Sequence, residues 1–286
     1  MRIDSSLLER KSQQPQKQQQ QQLRELPKEK SRGKKNRRRN KKQMTPSVIQ
    51  NLFDTCKEVF AGAGTIPSPV DVERLRSVLD SMSPEDVGLS QDMPYFSTTE
   101  TEGAPLITYL HLYECDMFSM GIFCLPPSGV IPLHNHPGMT VFSKLLFGSM
   151  HIKAYDWADI PHSSDAIINP SHFQPSNVRL AKVKIDTVFT APCNTSILYP
   201  AAGGNMHCFT AMTACAVLDV LGPPYSDSEG RHCTYYNSFP YASFSGDADG
   251  MVEDGREEHA WLEEREKPED VHVVGAEYRG PKITEH

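Results

Sequence analysis

The chain has 286 residues, which is enough for one large all-β domain or two smaller domains, and its formal charge of −7 conceals a strong asymmetry. The first 45 residues carry 15 lysines and arginines against 4 acidic residues, whereas the remaining residues carry 14 against 32. Because no run of about 18 or more apolar residues exists and the N-terminus lacks the apolar core of a secretory signal, we expect an intracellular soluble protein without membrane contact.

The N-terminal segment, residues 1–44, combines a Gln-rich tract at Gln13 to Gln22 with a basic run at Lys28 to Lys42. The run holds ten basic residues and one acidic residue, and nothing in the segment can bury a core, so we predict a disordered tail. The run favours nuclear import, the alternative being a tail that only confers solubility. Since no recognition module accompanies it, specific nucleic-acid binding is not expected, and we predict a nuclear and cytoplasmic protein.

The cysteines predict reduced thiols, because their number is odd and no two of them form a CxxC pair. A disulfide framework or a zinc ribbon would require paired cysteines. The seven positions are Cys56, Cys115, Cys124, Cys193, Cys208, Cys215 and Cys233.

Two amphipathic helices are predicted after the tail. The first has Thr45 as its N-cap and Pro46 in its first turn. The second begins at Ser68, where Ser68 and Asp71 resemble a capping box. Each helix has one apolar stripe, so we expect both to pack against the outside of a β domain.

From about Ile107 the pattern changes to short apolar segments separated by Gly, Pro and Asn, which is typical of strands. Nine strands are predicted, at Ile107 to Cys115, Phe118 to Leu125, Val130 to His136, Met139 to Phe147, Met150 to Trp157, Val178 to Phe189, Ser196 to Tyr199, Met206 to Met212 and Cys215 to Leu221. Ala158 to Asn177 is interpreted as a long surface loop. A late strand, Val271 to Tyr278, follows the acidic stretch Glu253 to Glu269 and is expected to pair back onto the sheet.

These patterns predict a mainly β protein. Many strands without intervening helices favour a sandwich or a barrel. We therefore predict a single domain over residues 45–286, with its helices at about 45–82 and its β-barrel at about 105–282, behind the tail of residues 1–44.

His134 and His136 lie one residue apart in a predicted strand, so their side chains point to the same face and can bind one metal ion. The segment from Gly129 to Gly148 resembles the cupin metal motif, in which a glutamate follows the second histidine and precedes a glycine. Counting back from Gly148 places Val141 at the position of the glutamate. The motif is present with one ligand missing.

The segment Pro200 to His207 resembles the second half of the cupin motif, in which a histidine on the paired strand completes the site. A polar surface strand is the alternative interpretation of the first histidine pair taken alone, and the correctly ordered second half argues against it. The predicted metal site then comprises three neutral imidazoles, those of His134, His136 and His207, without a carboxylate.

Beyond the cupin motif, the chain closely resembles the plant cysteine oxidases, which are relatives of cysteamine (2-aminoethanethiol) dioxygenase. The segments that carry the resemblance are Pro132 to Trp157, Pro200 to Phe209, Cys215 to Tyr225, Arg231 to Tyr235 and Val273 to Lys282. The resemblance covers roughly residues 46–286 and leaves the basic tail outside it.

This resemblance implies a cupin double-stranded β-helix that binds Fe(2+) through His134, His136 and His207. It implies an oxygen-sensing enzyme that uses O₂ to convert a cysteine thiol to the sulfinic acid. The implied partners are protein substrates with an N-terminal cysteine, in plants the group VII ethylene-response transcription factors. Their oxidation leads to degradation through the N-degron pathway, while low oxygen spares them. We expect a monomer.

Three further residues are candidates for the pocket. Asp219 lies in an otherwise apolar strand, and a buried carboxylate there needs a partner, either a substrate ammonium or Tyr225. The resemblance implies that Asp219 and Tyr225 position the substrate; the alternatives are a solvent-facing or turn-holding aspartate and a tyrosine that only packs. Cys233 suggests a thiol or thioether role beside Tyr235, the alternative being an ordinary buried cysteine.

Two other functions stay open at this stage. The same metal site would serve a small-thiol dioxygenase that acts on free cysteine or cysteamine. A non-catalytic cupin with a metal ion and a nuclear or nucleic-acid-binding tail is the second alternative. A peptide substrate needs a groove that leads away from the metal, and a structural metal site is usually closed by a fourth ligand.

Overall fold

The computed structural model describes residues 46–62, 66–97, 105–158, 177–243 and 258–285. The predicted tail lies outside these ranges, as does the predicted surface loop except for its two end residues. From Ser47 onward the described residues belong to one compact unit. No helix in these ranges is long and apolar enough to cross a membrane.

Helix α1 spans Val48–Val59 and helix α2 spans Pro69–Asp80. The N-cap of α1 is Ser47, whose side chain accepts a hydrogen bond from the backbone of Gln50, so the prediction of Thr45 as N-cap is wrong by two residues. The start of α2 is confirmed, because the Ser68 hydroxyl accepts the backbone N–H of Asp71 at 3.2 Å. Short 3₁₀ turns lie at Pro84–Val87, Pro94–Phe96, Asp227–Glu229 and Tyr241–Ser243.

The strands of the described residues are β1 Ile107–Glu114, β2 Ser119–Leu125, β3 Val130–Asn135, β4 Thr140–Phe147, β5 Ser149–Trp157, β6 Val178–Thr190, β7 Ser196–Leu198, β8 Met206–Ala211, β9 Cys215–Gly222, β10 Tyr235–Pro240, β11 His259–Arg265 and β12 Val273–Ala276. All ten predicted strands are present. The late strand β12 pairs in parallel with β1, as expected. Two strands, β10 and β11, were not predicted.

The strands form two sheets. The first has the order β12-β1-β2-β9-β4-β7, and the second closes into a barrel in the order β10-β11-β6-β5-β8-β3. The pairing of Tyr235 in β10 with His134 in β3 completes the closure. The two unpredicted strands therefore form the part of the barrel next to the histidine motif. The predicted mainly β architecture with helices packed outside is confirmed.

The first sheet separates two cores. Its outer face packs against the helices through a cluster that includes Leu52, Phe53, Phe60, Phe118, Phe142, Leu218 and Val220. Its inner face packs against the second sheet through a cluster that includes Ile107, Leu125, Leu145, Cys215, Val217, Ile152 and Phe209. Because side chains alternate along a strand, Asp219 in β9 shares the inner face with Val217.

Gly148, the glycine of the histidine motif, makes the turn between β4 and β5. Its φ of +86° is a left-handed conformation that favours glycine. A Cβ atom there would lie 2.2 Å from the carbonyl oxygen of Ala214, so the turn also has no room for a side chain. This glycine fixes the connection between two strands that flank the interior.

Candidate metal centre

The three predicted metal ligands come together between the two sheets, on the face of the second sheet that carries Phe209. His134 lies in β3 directly opposite His207 in β8, and His136 follows the last residue of β3. Their ligand nitrogens all lie within 4.8 Å of one another, and the side chains are buried. The Nε2 atoms of His136 and His207 are 3.1 Å apart. Two adjacent antiparallel strands thus direct three imidazoles at one point.

Hydrogen bonds fix the tautomers of two of these imidazoles. The Nδ1–H of His134 donates to the carbonyl oxygen of Pro132 at 2.7 Å. The Tyr225 hydroxyl donates to the carbonyl oxygen of Asn135 at 2.7 Å and therefore accepts from Nδ1 of His136, 3.0 Å away. Both imidazoles then present the lone pair of Nε2 to a metal ion, which is the arrangement that outer-shell partners of metal ligands produce.

Burial keeps the three imidazoles neutral. It lowers the pKa of His134 to about 4 and holds the pKa values of His136 and His207 well below their usual range. Neutral imidazole is the form that binds a metal ion. Three neutral nitrogen donors at this separation fit a divalent transition metal.

The position of the missing carboxylate is apolar. Val141 is buried in a small cluster with Met139 and Leu198, and it lines a narrow pocket that has His207 on its wall. Within the described ranges, the ligand cluster contains the three histidines and no carboxylate. An octahedral metal ion held by three histidines would keep three positions for other ligands.

Asp219 is the buried carboxylate of the inner face. Burial raises its pKa to about 7, although a side-chain hydrogen bond with Ser143 opposes the shift. Among the described residues its Oδ1 atom has no hydrogen-bond partner. Of the two partners proposed for it from sequence, Tyr225 is already bonded to Asn135 and His136. A buried carboxylate oxygen without a partner is costly and is prepared to accept a donor from a ligand.

Tyr225 contacts His136, and Cys233 contacts Tyr225. Burial raises the pKa of the phenols of Tyr225 and Tyr235, and the neighbouring Cys233 raises both further. Tyr235 pairs with His134 across the barrel closure. The structure thus assigns Tyr225 a contact with a metal ligand, whereas its predicted contact with substrate stays a prediction, as does a reactive role of Cys233.

The comparisons with known proteins agree with this geometry. A profile of the PCO_ADO family matches residues 78–283. The chain belongs to the PCO_ADO family. It is 58% identical to plant cysteine oxidase 2 of Arabidopsis thaliana, over 91% of this chain and 92% of that protein. It is 60% identical to plant cysteine oxidase 1 of the same plant, over 83% of this chain and 80% of that protein.

More distant members of the PCO_ADO family are also similar. Human 2-aminoethanethiol dioxygenase is 30% identical over 75% of this chain and 82% of that protein. Among solved structures, a Klebsiella pneumoniae protein with a double-stranded β-helix domain covers 51% of this chain and 94% of that chain, with 15% identity and a TM-score of 0.30. A score this low supports no inference about function.

Two polar residues of this PCO_ADO centre, Asn205 and Asp156, are not predicted from the sequence. Asn205 is bonded to the backbone of His136, and Asp156 is bonded to the loop that carries Asn205. The available signal was the position of Asn205, two residues before His207 and directly after Gly203 and Gly204. The sequence could not show which backbone groups the amide would reach.

Proposed function

We propose that this protein is an iron-dependent thiol dioxygenase that uses O₂ to convert the N-terminal cysteine of protein substrates to cysteine sulfinic acid. The observation that carries the proposal is a buried three-histidine cluster with no carboxylate from the described residues. It lies between the two sheets, where the first sheet also buries the Asp219 oxygen that has no partner there. Membership of the PCO_ADO family supports the enzyme class.

The names of the relatives point to one substrate chemistry. Cysteine and 2-aminoethanethiol, after which these relatives are named, both carry a thiol two carbons away from an amine. A site for this unit needs a position for the sulfur and a counter-charge for the ammonium. The histidine cluster with its metal ion provides the first, and Asp219 provides the second.

Iron is the metal that we infer for the site. Bound Fe(II) would supply the redox chemistry that O₂ requires and open positions for a thiolate and O₂. His134, His136 and His207 would hold it as neutral ligands, so its positive charge stays available to a thiolate. The apolar wall that includes Val141 excludes a competing protein carboxylate.

Asp219 would bind the substrate ammonium. An ammonium within hydrogen-bond distance of Oδ1 would supply the missing donor and would lower the pKa of Asp219 from about 7, because the opposite charge favours the carboxylate. Substrate binding would then remove an unfavourable buried polar group. This coupling favours substrates with a free amine next to the thiol-bearing carbon chain.

The identity to plant cysteine oxidases favours N-terminal cysteines of proteins over free small thiols. Group VII ethylene-response transcription factors are the substrates we infer, which would place the enzyme at the oxygen-dependent entry to the N-degron pathway. The basic run supports action in the nucleus as well as in the cytoplasm, and we propose a monomer. Deletion of residues 1–44 should change the cellular distribution while leaving turnover unchanged.

The experiment compares four substrates of the iron-loaded enzyme in air. A peptide with a free N-terminal cysteine should gain two oxygen atoms by mass spectrometry, and the same peptide with an acetylated N-terminus should gain none. Free cysteine and cysteamine are the third and fourth substrates. Rapid turnover of the small thiols with slow turnover of the peptide would establish the small-thiol alternative, and no oxidation of any substrate would contradict the enzyme class.

A further inference from the structure

His136 differs from the other two ligands in how its backbone is held. The ladder between β3 and β8 pairs His134 with His207 and ends at the pair Asn135 and Met206. His136 and Asn205 would form the next pair, but no backbone pair is formed there. The position of His136 therefore depends on contacts other than the regular ladder.

The side chain of Asn205 replaces the missing pair. Its Oδ1 accepts the backbone N–H of His136 at 3.2 Å, and its Nδ2 donates to the backbone carbonyl of His136 at 2.8 Å. Nδ2 also donates to the carbonyl oxygen of Tyr199 at 2.9 Å. The carbonyl of His136 accepts a further bond from Met139, but this bond lies within the following turn and does not connect His136 to β8.

Asp156 fixes the loop that carries Asn205. The ladder between β5 and β8 ends at Tyr155 and Met206, and the Asp156 carboxylate then accepts three consecutive backbone N–H groups, from Gly203, Gly204 and Asn205, at 2.9 to 3.0 Å. Successive N–H groups around an anion form a stable nest. Asp156 is buried, so the carboxylate has little competition from water.

The two glycines make this nest possible. Gly203 and Gly204 have φ angles of +85° and +87°, which favour glycine. A Cβ atom on Gly204 would lie 2.6 Å from the Cβ of Ala154 in β5. The glycine pair therefore lets the loop turn its N–H groups toward Asp156 and lie close against β5, which places the Asn205 amide opposite His136.

We propose that Asn205, anchored by Asp156, is the positioning residue that sets the place of the metal ligand His136 relative to His134 and His207. The proposal rests on the metal centre of the proposed function, but it does not depend on which thiol is the substrate or on iron as the metal. Both backbone groups of His136 are bonded to one rigid amide. Loss of that amide would therefore release the backbone of His136 and keep its imidazole.

The chain contains a matched control for this bond. The side-chain amide of Gln50 in α1 makes the same type of pairing with the backbone of Thr284, accepting its N–H at 2.8 Å and donating to its carbonyl at 3.0 Å. Gln50 is buried like Asn205, but it lies in the helical layer and its amide contacts no metal ligand. Loss of either amide removes two bonds to a distant backbone, and only one of those backbones carries a ligand.

The experiment measures Co(II) binding to the full-length protein by equilibrium dialysis and by visible absorption, together with the thermal unfolding midpoint of each metal-free protein. Asn205→Ala and the near-isosteric Asn205→Asp should weaken Co(II) binding about tenfold or more and change the absorption spectrum, because outer-shell partners typically contribute this much to metal affinity. Asp156→Asn should act in the same direction. Gln50→Ala and Gln50→Glu should lower the unfolding midpoint but leave Co(II) affinity and spectrum as in the wild type.

The wild-type measurement distinguishes failure of the metal centre from failure of the positioning role of Asn205. If the wild type does not bind Co(II), the metal centre itself is wrong. If the wild type binds Co(II) and both folded Asn205 variants bind it with the same affinity and spectrum, the positioning role is wrong. Should Asn205→Ala not fold, Asn205→Asp decides, because it keeps the size of the side chain and the acceptor for the His136 N–H.

Discussion

Strand β9 presents opposite chemistry on its two faces. Leu218 and Val220 on the outer face are fully buried against the helical layer, whereas Asp219 between them points toward the second sheet with an oxygen that has no partner among the described residues. Burial of the two apolar side chains stabilises the fold, and burial of the carboxylate destabilises it. The outer face of the first sheet thus stabilises the fold, whereas the inner face carries a buried carboxylate that lowers the stability of the fold.

The largest effect is expected from the histidine cluster. His207→Ala leaves two ligands and should abolish both metal retention and turnover, while the metal-free protein stays folded. Metal content after desalting measures metal retention, and the peptide oxidation assay measures turnover. His151→Ala is the control, since His151 lies on the exposed side of β5 and pairs with Asp186. Wild-type metal content in His207→Ala would mean that His207 is not the third ligand.

The outer face is tested with Phe53→Ala. Phe53 is fully buried and packs edge-on against Tyr113, so its loss should lower the free energy of unfolding by about 3–5 kcal/mol. Because the metal site is on the other side of the sheet, turnover per metal-loaded folded molecule should change less than about twofold. Urea unfolding measures the stability, and Val70→Ala at an exposed position is the control. A matching loss of turnover would contradict the separation of the two faces.

The inner face is tested with Asp219→Asn. A pKa raised from 3.8 to about 7 means that the folded state holds the proton more tightly than the unfolded state. The wild type should therefore lose stability as the pH rises from 3.8 to about 7, by about 4 kcal/mol in total. The uncharged amide introduced by this substitution removes that loss, so metal-free D219N should be more stable than metal-free wild type above pH 7. Iron-loaded D219N should be an impaired enzyme.

Asp186→Asn is the control for this pH dependence. Hydrogen bonding by Lys153 lowers the pKa of Asp186. The stability that the ionised Asp186 carboxylate contributes is therefore present at neutral pH and is lost as the pH falls through its lowered pKa. The two variants should change the stability profile in opposite directions. Equal stability of wild type and Asp219→Asn throughout the pH range would show that Asp219 is not a destabilising buried carboxylate.

Tyr225→Phe should have a smaller effect than His207→Ala, Phe53→Ala and Asp219→Asn. It removes the hydrogen bond that the Tyr225 hydroxyl donates to Asn135 and the one that it accepts from His136, and it keeps the ring, so metal affinity should fall about tenfold. Tyr155→Phe is the control, because this buried hydroxyl bonds to Ser238 rather than to a ligand. Unchanged metal affinity with a raised KM for the peptide would return Tyr225 to the substrate-positioning role predicted from sequence.

Local patterns predicted most of the fold. The capping serine of α2, the alternation in the strands and the spacing of His134 and His136 are all readable from neighbouring residues. Thr followed by Pro predicts an N-cap at Thr45, because this pair is common at helix starts, but the side chain that accepts the N–H of the third helical residue is that of Ser47. Strand β11 escaped prediction because its apolar run is short and lies between charged residues, and its burial comes from β6 and β10.

The site was only partly predictable, because some of its contacts join residues that are far apart in the sequence. The three histidines and Asp219 are visible as polar residues in apolar strands. The bonds of Asn205 and Tyr225 to the region of His136 join residues 69 and 89 positions apart, and no local pattern specifies them. Side-chain to backbone bonds of this kind depend on the packed strands, so they become known only from the structure.

The central proposal is that His134, His136 and His207 would hold an iron ion and Asp219 would hold the substrate while O₂ oxidises the thiol of an N-terminal cysteine. The most direct test supplies iron-loaded enzyme with isotopically labelled dioxygen and a peptide that begins with cysteine, and analyses the product by mass spectrometry. The account predicts a sulfinic acid in which both added oxygen atoms carry the label, with one O₂ consumed for each product. A product with label in only one of the two oxygens, or consumption of O₂ without sulfinic acid, would contradict it.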